Sequence, residues 1–177
     1  MNDYIATYDS KTLNLSGYRT AQLVKFITKC NSEFIFINTH LHHLVEDINF
    51  RTSQIEQIFN WIDYLFPAYK NPIIFVGDFN MCPHETDNYN MFSKHKFYSS
   101  FKKAHGQEPL KTFPTGIKCD TMDEGDDMTL DYIWIKDQGF DNDNSISVVK
   151  ESVSIFGDKC VNGDTTLYPS DHYIIIL

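Results

Sequence analysis

The chain has 177 residues, 24 Asp and Glu against 15 Lys and Arg, and a net charge of −9 with pI ≈ 5.1, a size that suits one domain. At 42% hydrophobic and 15% aromatic it can bury a sizeable core, which excludes a disordered acidic adaptor over its full length. Nine acids and a single base, Lys136, fall between Asp120 and Asp143, leaving 15 acids and 14 bases elsewhere. That nearly neutral remainder gives no support to strong electrostatic binding of nucleic acid, which relies on Lys and Arg neutralising phosphates.

Taken in chain order, Met1 to Leu15 carries only a weak strand signal, and Thr20 to Ile27 is a strand candidate. Glu33 to Asn38 (EFIFIN) and Asn71 to Val76 (NPIIFV) are apolar runs that end in polar clusters, as buried strands do. Between them Ile55, Ile58, Phe59, Ile62, Leu65 and Phe66 recur at helical spacing, so Arg51 to Phe66 reads as an amphipathic helix closed by Pro67. Asp87 to Ala104 holds helical turns. Leu130 to Ile135 and Tyr173 to Leu177 read as two more core strands, and the segments 120–127 and 137–147 as loops. Strands alternating with helices give an α/β or α+β class with helices packed on sheets, and no linker or repeat divides residues 1–177. Cys30, Cys82, Cys119 and Cys160 lie too far apart for a zinc motif and read as reduced thiols. No apolar run is long enough to span a bilayer and no signal pattern opens the chain, so a soluble, non-secreted intracellular protein, most simply cytoplasmic, is expected.

Four segments put His, Asp and Asn at the ends of these strands: Asn38-Thr39-His40, Gly77-Asp78-Phe79-Asn80, Leu130-Asp131-Tyr132 and Ser170-Asp171-His172. Strand ends are where sites in layered α/β proteins are assembled. If strand alternation persists, Asp78 and Asn80 share a side and Phe79 faces away. The carboxylate can then take a proton from water or bind a cation, and the amide can donate to a phosphate oxygen without adding negative charge. Singly, Asp-X-Asn is more often a turn and His40 an ordinary hydrogen-bonded histidine. Asp131 within an apolar strand demands a partner, such as a histidine. The joint occurrence of all four in order shifts the balance towards function.

These motifs, from about Arg19 to Leu177, resemble the endonuclease/exonuclease/phosphatase superfamily, the deoxyribonuclease-I-like metal-dependent phosphodiesterases. The stretches NTHLHH, Pro83-His84-Glu85, KAHGQEP and Leu130 to Trp134 look most like a poorly characterised eukaryotic branch of it. The resemblance implies a four-layer α/β sandwich of two face-to-face sheets with outer helices. It also implies hydrolysis of a phosphate ester by an activated water. Asp78 would orient or deprotonate that water, Asn80 would hold a phosphate oxygen, and His172 would stand beside the phosphate, fixed and charged by Asp131. His40 would be a second phosphate-facing histidine, and Asp171 with Asp78 would sit at the metal. Hard carboxylate oxygens and the absence of a cysteine ligand suit Mg²⁺, or Mn²⁺.

The family's Asn and metal-binding Glu, usually in a Gln-Glu pair on early strands, have no counterpart upstream of His40. Gln107-Glu108 lies downstream, in the wrong order. The sequence thus reads as the C-terminal portion of the family domain, completed by a missing segment or a second chain. The expected substrate is a phosphorylated small molecule, a lipid-derived ester or a nucleic acid. The alternative is a non-catalytic member serving as a binding or structural subunit of a larger assembly. His42 and His43 could line the site mouth. Trp61 and Trp134 read as packing residues, the Lys94/Lys96 and Lys102/Lys103 clusters as solvated helix faces, and the 120–127 acids as a solvated loop.

Overall fold

The computed structural model describes residues 6–29, 31–116, 126–136, 148–164 and 166–177. Residues 120–125 of the predicted loop 120–127 and the whole of the predicted loop 137–147, with Cys30, Cys119 and most acids of the 120–143 run, lie outside the described residues.

The polypeptide starts with a hairpin. Strand β1 (Ala6–Leu15) turns at Ser16–Tyr18 and pairs antiparallel with β2 (Arg19–Ile27). β3 (Glu33–His40) adds antiparallel to β2, and helix α1 (Ile48–Leu65) carries the chain over to β4 (Ile73–Asp78), parallel to β3. Helix α2 (Thr86–Lys94), the short β5 (Tyr98–Ser99) and helix α3 (Ser100–His105) follow. β6 (Asp131–Lys136) then inserts between β4 and β5, completing a six-stranded mixed sheet ordered β1-β2-β3-β4-β6-β5. β7 (Ser154–Phe156) and β8 (Ile174–Ile176) form a separate two-stranded antiparallel ribbon. The architecture is therefore mixed α/β, with a large sheet, a small second sheet and few helices.

Alternation in the strands makes two faces of different character. One carries Leu23, Ile35, Ile37, Phe75 and Trp134, all nearly fully buried against Ile55, Ile58, Phe59 and Ile62 of α1 and Phe92 of α2. The aromatics interlock there: Phe92 stacks on Trp134 at 4.3 Å between ring centres, and Phe59 meets Phe75 edge-on at 6.5 Å. Trp134 is thus a packing residue, as its sequence context suggests. The opposite face carries Phe34, Phe36, Ile74, Val76 and Ile133, only half-buried. The ribbon lies over part of it, leaving a cavity of about 510 Å³ between Phe36, Val76 and Ile133 of the sheet and Ile175 and Leu177.

Two expectations change here. Tyr173 to Leu177 is not a core strand: β8 pairs only with β7 among the described residues, and Ile174 and Ile176 are 49% and 42% exposed. Its run of isoleucines reports strand propensity, whereas burial depends on what packs against it. The weak signal at the N-terminus, in turn, belongs to the longest strand of the sheet. β1 is an edge strand whose polar residues Ser10, Thr12 and Asn14 alternate with Lys11, Leu13 and Leu15, so its apolar content is diluted.

Candidate active site

The parallel strands β3 and β4 end side by side, with His40 opposite Asp78, and antiparallel β6 begins there, with Asp131 opposite Asp78. Three chemistry-bearing residues are therefore brought together by register alone, on the face away from α1. Gly77 permits this closeness. Its φ of +143° lies where side chains are disfavoured, and a Cβ there would stand 1.9 Å from the Thr39 carbonyl oxygen.

Past Asp78 the strand ends and the chain turns. Asn80 has φ +47°, and its backbone N–H donates to Asp78 Oδ1 at 2.9 Å. Asp78 and Asn80 line the same cavity, as expected, but through this side-chain-to-backbone turn and not through strand alternation. Asn80 Nδ2 donates to the Leu41 carbonyl at 3.1 Å, while Phe79 is fully buried 5.0 Å from the Phe75 ring. The phenylalanine between two polar residues fastens the turn to the core.

His172 reaches the same place from the C-terminal segment. Its Nδ1 lies 2.8 Å from Asp131 Oδ2 and its Nε2 3.9 Å from Asp78 Oδ2. His40 Nε2 approaches Asp78 Oδ2 at 3.5 Å from the more exposed side. The segment carrying His172 is held by residues that motif reading passed over. Thr115 donates through Oγ1 to the Ser170 carbonyl at 2.7 Å and through its N–H to the Asp171 carbonyl at 3.0 Å. Buried Thr112 accepts at Oγ1 from the N–H groups of Leu130 and Asp131 at 2.9 and 3.1 Å, and its carbonyl receives the Tyr173 N–H at 2.7 Å. One short segment therefore ties Asp131 and His172 into a common frame. The Phe113 ring lies 4.9 Å from that of His172. The sole sequence signal was the Thr-Phe-Pro-Thr run at 112–115, which has no period to read.

The electrostatics follow from this crowding. Burial, and then the nearby charge of Asp131, push the Asp78 carboxyl up to about 6, against the opposing pull of the Asn80 N–H, His172 and Arg19. Burial disfavours charged His172, but the hydrogen bond to Asp131 and the charges of Asp131, Asp78 and Asp171 outweigh it, so its pKa is raised. His40 moves down, through burial and then through Arg19 and His172. A carboxylate that ionises near pH 6 thus faces an imidazole whose cationic form is favoured.

Asp78, Asp131 and His172 offer donor atoms that lie within 4.8 Å of one another. Two half-buried carboxylates with like charge are what a hard divalent cation would relieve, so the donor chemistry fits Mg²⁺ or Mn²⁺. Asp171 lines the same cavity but is not in that cluster; its Oδ1 accepts from Ser170 Oγ at 3.2 Å. The cavity measures about 390 Å³ and continues from Asp78 and His172 to an apolar wall of Val45, Phe113 and Met128 with His43 and His84 at its rim.

Other candidates fall elsewhere. His42 is engaged by Asp47 at 2.8 Å and by the Phe50 ring. Glu108 accepts from Tyr89 and from Ser99, on the side of the sheet away from Asp78, and serves packing. A buried pair, Arg51 with Glu85 at 2.8 Å, was also unforeseen: Arg51 additionally donates to the Leu44 and Val45 carbonyls and so fixes the cavity wall. Cys82 and Cys160 are free thiols. No described helix is long and apolar enough to cross a membrane.

No protein-family model matches the sequence, and no curated protein does. Solved structures do. The chain is similar to the human Nocturnin catalytic domain with bound sulfate anion, at 20% identity and TM-score 0.67, over 97% of this chain and 60% of that one. It is similar to D. rerio TDP2 complexed with single-strand DNA product, at 16% identity and TM-score 0.72, over 96% and 66%. An endonuclease/exonuclease/phosphatase family protein from Bacteroides thetaiotaomicron matches at 20% identity and TM-score 0.59, over 76% and 51%. The chain shares the fold of these structures, and spans 60% and 66% of the Nocturnin and D. rerio TDP2 chains.

Proposed function

We propose that this protein hydrolyses phosphate esters, with Asp78 activating water and the His172–Asp131 pair stabilising the phosphoryl group. The observation that carries the reading is the position of Asp78 Oδ2, 3.5 Å from His40 and 3.9 Å from a His172 whose other nitrogen is bound to Asp131. Asp78 takes a proton from the attacking water as the new P–O bond forms and the bond to the leaving alcohol breaks. His172, cationic through Asp131, donates to a phosphoryl oxygen where charge accumulates, with Asn80 and His40 as further phosphate contacts. Asp78 and Asp131, with Asp171 on the same cavity, would hold Mg²⁺ or Mn²⁺, which when bound supplies Lewis acidity.

The fold does not fix the substrate. The cavity of about 390 Å³, with its apolar wall, suits a phosphorylated small molecule, a lipid-derived ester or the end of a nucleic acid strand. The test is hydrolysis of bis(4-nitrophenyl) phosphate with Mg²⁺ or Mn²⁺. Asp78→Ala and His172→Ala should each abolish it, and survival of the rate in either variant sinks the assignments.

One observation favours a second reading, that of a binding or structural subunit. The site-bearing face keeps Phe34, Phe36 and Ile74 half-exposed, and a partner polypeptide completing the sandwich would cover them. Tight association with such a partner, without metal-dependent turnover in the complex, would decide for that reading.

A further inference from the structure

The hydrolytic centre has a neighbour. His40 lines two cavities, the one holding Asp78 and His172 and a smaller one of about 210 Å³ bounded by Arg19, Thr20, Gln22, Asn38 and Thr39. Among the described residues the second has no acidic lining residue, and Arg19 is the one Lys or Arg lining either.

Arg19 is the first residue of β2, half-buried where the hairpin turn returns the chain into the sheet. Among the described residues it makes no ion pair, whereas Arg51 is paired with Glu85, Lys25 with Glu33 and Lys111 with Asp127. Its Nη2 lies 3.3 Å from His43 Nδ1. A guanidinium can only donate, so His43 accepts at Nδ1 and carries its proton on Nε2 as a further donor. That one bond orients the guanidinium fork and leaves its other N–H groups free of protein carboxylates. Gln22 and Asn38 are register partners on adjacent strands, both exposed, and their amides line the same small cavity as Arg19. A planar fork with amide donors around it matches the tetrahedral oxygens of a phosphate.

We propose that Arg19 and His43, with the Gln22 and Asn38 amides, form a second anion subsite across His40 from the hydrolytic centre. It takes a further phosphate of the substrate molecule whose first phosphate is cleaved. The preferred substrate is thereby one with two phosphate groups, either a small bisphosphate or a nucleic acid strand. This rests on the reading of Asp78 and His172 as the place of the first phosphate.

Binding measured by calorimetry on the whole chain, with EDTA so that nothing turns over, separates the two readings. A nucleoside 3′,5′-bisphosphate should bind roughly tenfold tighter than the matching 5′-monophosphate, the scale of one charge-assisted contact. Arg19→Gln should bring that ratio to about one, weakening the bisphosphate far more than the monophosphate. Equal affinities in the unmodified protein overturn the subsite. So does equal weakening of both probes by Arg19→Gln, which would put Arg19 on the first phosphate. A 5′-phosphorylated dinucleotide binding tighter than the bisphosphate identifies a strand as the source, and the reverse order a small molecule; both support the subsite. Failure of the hydrolytic reading shows separately, as absent turnover with the binding preference intact.

Discussion

Asp78 is the residue on which the proposed chemistry turns, and its surroundings make it measurable. Its carboxyl holds a proton up to about pH 6 in the folded chain, whereas the unfolded chain releases it near 3.8. Between those values the native state binds more protons, so stability falls as pH rises across the window and stays lower above it. Asp78→Asn removes that effect. With EDTA present, the variant should exceed the parent by up to about 3 kcal/mol in urea unfolding at pH 8, a gain that fades towards pH 4. A constant difference at both pH values would contradict the burial argument. The histidine gives a second prediction. Asp131 raises both Asp78 and His172, so Asp131→Asn should move the acid limb and the alkaline limb of the kcat/KM profile to lower pH together. Movement of one limb alone would mean that Asp131 does not face both groups.

The elements that hold these residues were unevenly legible. α1 announces itself by period and the strands β3, β4 and β6 by short apolar runs, with the site residues standing at their ends. The 112–115 segment does not, because its work is done by two threonine hydroxyls and backbone groups, which leave no pattern. Thr112→Val would strand two buried N–H groups and should cost about 1–3 kcal/mol, with a larger fall in kcat than in KM as Asp131 loses its frame. Unchanged kcat would separate Thr112 from the site. The Arg51–Glu85 pair was invisible for another reason: residues 34 apart in sequence carry no local signal of pairing. Arg51→Met alone should lose about 3–5 kcal/mol by leaving Glu85 buried and unpaired, and adding Glu85→Leu should recover much of it. Additive losses in urea titrations would show that the pair is not coupled.

At the level of the molecule, one sheet serves two purposes with its two faces. The face under α1 and α2 is a closed aromatic core, and the other is apolar but half-covered, with the candidate site at its end. Neighbouring residues of β4 should report the difference. Phe75→Ala is expected to cost about 3–5 kcal/mol and Val76→Ala under about 1 kcal/mol by chemical denaturation, since Phe75 is fully buried and Val76 only partly. The placement of β8 was misread from its isoleucines for the same reason, that composition shows propensity and not what lies on top. The acidic composition likewise said little about the site, where the paired carboxylates are offset by His172 and Arg19. In the proposed chemistry Asp78 and His172 act as one unit, and their joint removal tests it most directly. Metal-dependent phosphodiester hydrolysis should fall at least about 100-fold in Asp78→Asn and in His172→Gln, and the double variant should fall no further than the worse single one. Losses that multiply in the double variant, or a single variant that keeps the parent rate, would contradict it.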